Sequence, residues 1–166
     1  MEKEVDIFAP VTDLGKGDAL EAWRWLVGDT ASVRLLTSMG DIFFVRKEGI
    51  LKKERVYFLD TGAGEMELAS KSWKLFREMI KTMDGVPGHW FKYSLLKEIS
   101  DEPLEQGNCY SPNILPGLGG EYIKENFSPV SWIVHVDMAG QIHEQCKDFP
   151  PGTPINSFSL DVQKQP

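Results

Sequence analysis

Three runs rich in β-branched and aromatic residues follow one another early in the chain: Val33 to Thr37, Asp41 to Arg46 and Arg55 to Asp60. Side chains of that kind fit a pleated, half-buried surface, so each run predicts a strand. Gly40 separates the first two, and the polar stretch EGILKKE separates the second and third. A fourth strand is expected at Glu65-Met66-Glu67-Leu68, where polar and apolar residues alternate, with TGAG as the turn before it. Four short strands joined by tight turns favour an antiparallel meander over βαβ units.

Helices are expected on either side of this block. Asp18 and Glu21 have capping-box spacing, with Asp18 as the N-cap. Ala19, Leu20, Ala22, Trp23, Trp25 and Leu26 then predict a short apolar helix that stops at Gly28. After Ser70 or Ser72 as cap, Trp73, Phe76, Ile80 and Met83 lie on one helical face, away from Lys74, Arg77, Glu78 and Lys81. A third helix is expected from about His89 to Ile99, then an acidic loop and an irregular strand from Asn108 to Leu115. Val130, Trp132, Val134 and Val136 alternate, which predicts a strand, with Asp137 as N-cap of a final helix over Met138 to Phe149. Pro150-Pro151-Gly152 ends it. The fold class that follows is α+β: one domain over 1–166, a mostly antiparallel meandering sheet and three to four packed helices. Its ordered core spans about 18–155, with an arm at 1–12 and a tail at 156–166.

Composition narrows the function. The hydrophobic fraction of 42%, with 5 Trp and 9 Phe, is enough for a packed core. A net charge of −7 disfavours direct nucleic-acid binding, which relies on neutralising phosphates, and favours a basic partner. No apolar stretch approaches the roughly 20 residues of a membrane helix. The start, MEKEVDIFAPVTDL, does not read as a signal peptide, and two cysteines suit a reducing, cytoplasmic setting.

Motifs that suggest chemistry have plainer readings. In HVDMAGQIHEQCKDF, residues 135–149, a zinc-protease helix would need His-Glu-x-x-His, but Gln145, Cys146 and Lys147 follow His143-Glu144. His135, His143 and Cys146 lack the paired close spacing of a zinc site, so no metal or other cofactor is expected. Ala139, Ile142, Cys146 and Phe149 recur at helical steps, which places Cys146 in a buried stripe. Asp60-Thr61-Gly62 resembles the loop of an aspartic protease, whose chemistry needs two carboxylates sharing a proton. A turn between two strands accounts for it, and no catalytic residue is assigned. Gly117, Gly119 and Gly120 are not followed by the Lys-Ser/Thr of a phosphate loop. Two surfaces stay open as sites. Asp101, Glu102 and Glu105, with Trp90, could dock a basic partner. Tyr122, His135 and His143 could line a pocket at the Gly117–Gly120 turn, that of a small-ligand or metal-binding protein or of an enzyme of unknown reaction, or form a structural polar cluster with the histidines bonding that turn's backbone.

Several stretches, in order, carry a resemblance: EAWRWLVG (21–28), LLTSMGDIFFV (35–45), RVYFLDTGAGEMELAS (55–70), PGLGGEYIKENF (116–127) and SWIVHVDMAGQIHEQCKDFPPGTPI (131–155). Together they resemble the bacterial immunity proteins that accompany type VI secretion DNase effectors. The Gly-Gly-x-Tyr segment and the GQIH…PPGTPI ending are its most specific parts. The resemblance spans about residues 20–155. It implies a cytoplasmic, non-enzymatic protein that binds and blocks a cognate toxin, a nuclease, made by the same cell. It brings no catalytic residues.

Overall fold

A computed structural model describes residues 5–15 and 17–161. The elements comprise a 3-10 turn at Glu21–Trp23 and α1 (Arg24–Val27), followed by β1 (Ser32–Leu36), β2 (Ile42–Glu48), β3 (Lys53–Asp60) and β4 (Glu65–Ser70). Next come α2 (Trp73–Thr82), a 3-10 turn at Gly88–Trp90, α3 (Tyr93–Ile99), β5 (Asn108–Pro112), β6 (Phe127–Ser131) and α4 (Trp132–Cys146), with short 3-10 turns at Pro116–Leu118 and Lys124–Asn126. The class is α+β, as the sequence indicates. Strands β1 to β4 form one antiparallel sheet in sequence order, and β5 pairs with β6 in a second.

The register of β2 on β3 explains why Ile42-Phe43-Phe44-Val45 is apolar throughout. Ile42 and Phe44 pair with Leu59 and Tyr57, and Phe43 and Val45 with Phe58 and Val56. Alternate residues face opposite sides, and both sides are covered. One side packs on Trp23, Val27, Trp132, Val136 and Ala139 from the first 3-10 turn, α1 and α4. The other packs on Phe76, Trp90 and Phe91. Phe43 touches the rings of Phe58, Phe76, Trp90 and Phe91 at centroid distances of 5.1, 4.8, 5.2 and 6.0 Å. Each such pair adds about 0.5–1.5 kcal/mol beyond burial.

The sequence expectations hold best where the period is simple. The four strands fall where the apolar runs lie, and Ser72 caps α2 by accepting from the Leu75 N–H at 3.3 Å. Four local differences have physical causes. Near Asp18 the first turns are 3-10 before α1, and the Asp18 carboxylate binds Arg24 at 2.5 Å as well as the Leu20 N–H at 3.2 Å. The helix expected over 89–99 is broken at Lys92, whose φ of 46° is left-handed. The strand expected over 130–136 is β6 only to Ser131, and Trp132 already begins α4. Asp137 is therefore inside the helix, bonded to Gln141 at 2.9 Å, rather than its cap. Lastly, the buried stripe of α4 is Trp132, His135, Val136, Ala139, Gly140 and His143. Cys146 is partly exposed at its end and Phe149 is exposed.

Residues 5–11, expected as an arm, lie beside the end of β1. Ala9 N–H donates to Leu36 C=O at 3.0 Å, Ser38 N–H to Ile7 C=O at 2.9 Å, and Phe8 meets Phe91 edge-on at 5.6 Å. Residues 1–4 of that arm and 162–166 of the expected tail lie outside the described residues. The described part of the tail runs along α4, where Gln141 and Gln145 each pair with both main-chain groups of a tail residue, Asp161 and Ser159 respectively. Among the described residues no helix is long and apolar enough to cross a membrane.

Candidate functional site

The strongest concentration of polar chemistry lies beneath the β3–β4 turn. Asp41 directly precedes β2, Asp60 ends β3, and Lys92 projects from the kink before α3. The Lys92 ammonium donates to Asp41 Oδ2 at 2.6 Å and to Asp60 Oδ2 at 3.0 Å. Its left-handed backbone turns the side chain back toward the sheet edge between the two carboxylates. Asp41 is buried, and its other oxygen accepts from the Thr61 N–H at 3.0 Å. Burial pushes Asp41 up to about 7, while the Lys92 ammonium pulls it down. Burial likewise works to lower Lys92, but Asp41 and Asp60 outweigh it and hold the ammonium well above the usual lysine range.

Asp60 also settles the protease-like motif. Its carboxylate accepts from the Ala63 N–H at 2.8 Å, and its C=O accepts from the Gly64 N–H at 2.9 Å, so Asp-Thr-Gly-Ala is a hairpin turn. A carboxylate bound by a turn amide and an ammonium is poorly placed to share a proton with a twin.

The two histidines come next. His135 is 4% exposed. One ring nitrogen is 2.8 Å from Thr61 Oγ1 and the other 2.8 Å from Ser111 Oγ. A neutral imidazole donates through one nitrogen and accepts through the other, and two hydroxyls can satisfy both roles. Burial, helped by Lys92, pushes its pKa down to about 4. His143 Nε2 donates to the C=O groups of Thr61 and Gly62, at 3.1 and 3.2 Å. Burial lowers its pKa too, against the pull of those carbonyls. The histidines thus bond mainly the Asp60–Gly64 turn and its neighbours, not the backbone of Gly117–Gly120 as expected.

Nor do they line an open pocket. A Cβ on Gly40 would sit 2.6 Å from the His135 ring, and one on Gly64 or Gly117 would sit 2.5 or 2.7 Å from the His143 ring. The imidazoles fill the notches these glycines leave. Tyr122 stands apart from them, exposed, with Lys92 Nζ 5.5 Å from its ring centre. Burial and the Asp60 charge push its hydroxyl up to about 12. It lines an open groove of about 420 Å³ with Asp60, His89, Lys92, Tyr93 and Glu98.

The expected partner surface divides. Asp101, Glu102 and Glu105 are exposed on the loop after α3, with Lys124 3.8 Å from Asp101. Trp90 is 2% exposed, packed on Phe43 and Phe58 with its indole N–H on Glu67, so in this conformation it offers no surface to a partner. Asp41, Thr61, Lys92 and Ser111 were not legible as a group, because each comes from a different element and none sits in a motif. The only local hint is an aspartate placed directly before a run of four apolar residues.

This arrangement is a structural lock more than a reaction centre. Its proton-carrying groups are buried and mutually satisfied, and no buried side-chain polar atom among the described residues lacks a partner. Among those residues, too, no three His, Cys, Asp or Glu side chains converge to hold a metal ion. The curated proteins offer no match to the chain. Residues 70–143, from the end of β4 to His143, match the family model of the T6SS immunity protein Tdi1, C-terminal.

Proposed function

We propose that this chain is an immunity protein that binds a cognate T6SS effector, a nuclease, and neutralises it by covering its working surface. The observation that carries this reading is the match over residues 70–143, which takes in α2, α3, both strands of the smaller sheet and nearly all of α4. Occlusion needs a rigid surface and complementary charge, not a reacting group. A chain of net charge −7 suits a partner whose DNA-binding face is basic. Asp101, Glu102 and Glu105 supply exposed negative charge on one loop, and steer that approach. The protein acts in the cytoplasm, where a cell needs protection from its own effector or a neighbour's.

Co-expression tests this. Toxin domains of T6SS effectors from the source strain are expressed in a sensitive host, with and without this chain. Relief of growth arrest and of DNA degradation by one of them, together with a stoichiometric complex of the purified pair, is the expected result. If no effector domain is relieved or bound, the immunity reading fails. Alanine at Asp101, Glu102 and Glu105 together should slow association at low salt, and an unchanged rate removes that loop from the interface.

A further inference from the structure

The hairpin of β2 and β3 runs beyond the rest of its sheet. On one side β1 pairs with β2 only as far as Val45, and on the other β4 pairs with β3 only as far as Val56. The pairs Arg46–Arg55, Lys47–Glu54 and Glu48–Lys53 therefore form a two-stranded finger. These three pairs carry the finger about 10 Å beyond the last flanked pair, Val45–Val56, before the turn begins. At its tip Ile50 is 101% exposed and Leu51 77%, the two most exposed large apolar side chains among the described residues.

Such a tip is normally blunted or polar. This one is apolar and closed by a defined turn. Lys52 N–H closes the turn on Gly49 C=O at 3.1 Å, with Gly49 and Lys52 both at positive φ. One face of the finger is braced. Glu48 accepts from Arg46 and from the Tyr57 hydroxyl, each at 2.5 Å, and Arg55 lies 3.5 Å from it. Arg46 also stacks over the Tyr57 ring at 4.5 Å and donates to Val27 C=O at 3.0 Å, which ties the finger's base to α1. A held loop that presents two apolar side chains loses little conformational freedom when they are buried.

From these observations we propose that the Gly49–Lys52 tip is an anchor that inserts Ile50 and Leu51 into an apolar, acid-rimmed pocket on the cognate effector. The proposal deepens the effector-binding reading and rests on it. The occupant follows from charge and shape. Lys47, Lys52 and Lys53 are exposed around the tip, whereas Glu48 is engaged by arginines and Glu54 lies 3.6 Å from Arg34. A basic collar around an apolar point on an otherwise acidic chain matches a concave apolar site with carboxylates at its rim. A bilayer fits less well, because two side chains bury too little to hold a protein of net charge −7 at an anionic surface. The finger lies outside the matched segment 70–143, so the family match does not assign it.

The experiment uses the full chain and the purified effector domain whose toxicity it relieves. Dissociation constants are measured for the intact chain, for the Ile50→Ser/Leu51→Ser variant and for the triple alanine variant at Asp101, Glu102 and Glu105. Burial of both tip residues predicts a loss of roughly 100-fold for the tip variant, mostly in dissociation rate, with an unchanged urea midpoint because neither side chain is packed in the free protein. A Lys52→Glu/Lys53→Glu variant should slow association. Tight binding by the intact chain and binding within threefold by the tip variant overturn the anchor while the immunity reading stands. Failure of the intact chain to bind any effector domain overturns the immunity reading, and the anchor with it. Tip-dependent sedimentation with phosphatidylglycerol vesicles, alongside unchanged effector affinity, overturns the anchor in favour of a membrane contact.

Discussion

Replacing Lys92 by Met tests whether the lock beneath the β3–β4 turn holds the fold. Methionine keeps the aliphatic stem and removes the ammonium. Asp41, whose side chain is 2% exposed, would keep only the Thr61 N–H at 3.0 Å and hydroxyl at 3.2 Å as donors, with Asp60 nearby as a like charge. Removing one partner of a buried pair in this way costs about 3–5 kcal/mol. At pH 8 the variant should therefore lose that much, a large part of a single domain's stability. The loss should shrink with acid. Asp41 already sits raised toward about 7 by burial, and loss of Lys92 raises it further. A carboxyl raised above its unfolded value contributes stability that is full below the unfolded value, near 3.8, and is lost as pH rises through the folded one. At pH 5 Asp41 is protonated in the variant, and the remaining cost is that of lost hydrogen bonds, about 1–2 kcal/mol. Urea unfolding followed by tryptophan emission at both pH values, for K92M, D41N and the double variant, reads these terms. The double variant should be more stable at pH 8 than the sum of the single losses predicts. A K92M cost below about 1 kcal/mol at pH 8, or one equal at both pH values, would refute the idea that Lys92 neutralises a buried charge.

Other residues give sharper local tests. Gly140→Ala should destabilise the protein although alanine favours helix by about 1 kcal/mol, because the new Cβ would lie 2.7 Å from Ala22 C=O and 2.8 Å from its Cβ; a higher melting temperature would contradict the close packing of α4 on the first turn. His135 held down to about 4 contributes stability that is full above 6.5 and is lost as pH falls through about 4, so the cost of His135→Gln should shrink by up to about 3 kcal/mol between pH 7.5 and 4, in urea midpoints. The Asp41 term has the opposite sign across about 4–7, so the intact chain alone should show a flattened profile. Gln141→Ala/Gln145→Ala should release the tail, and the Ser159 and Asp161 N–H groups should lose hydrogen-exchange protection while the core keeps it.

The legible parts of the fold were those written as a single hydrophobic period. Strands β1 to β4 and the apolar face of α2 fall in that group. The start of α4 was misread because Val130, Trp132, Val134 and Val136 alternate by two, while the buried set 132, 135, 136, 139, 140 and 143 repeats by three and four. The helical set includes His135, Gly140 and His143, which hydropathy scores as polar or as breaks. Only the tertiary structure shows that two neutral imidazoles fill notches left by glycines. Trp90 is expected beside Asp101, Glu102 and Glu105 on a partner surface, yet its ring completes the aromatic packing around Phe43. The lock was invisible for a different reason: its parts come from separate elements and turns, and a long-range ion pair leaves no spacing to read.

The lock also determines what the matched segment can do alone. Lys92, Ser111, His135 and His143 lie within residues 70–143, but Asp41, Asp60, Thr61 and the Gly62 carbonyl that satisfy them lie before it. The apolar side is divided in the same way, since Trp132, Val136 and Ala139 pack on Leu36, Ile42, Phe44 and Leu59. A fragment 70–143 would therefore expose one face of α4 and leave the Lys92 ammonium without its two carboxylates. It should show little cooperative unfolding and red-shifted tryptophan emission. Adding a separate 1–69 fragment should restore both, because the missing carboxylates and apolar surface return together. Cooperative unfolding of 70–143 on its own, with native-like emission, would mean that the matched segment is an independent folding unit and that the buried Asp41–Lys92–Asp60 contact is incidental to it.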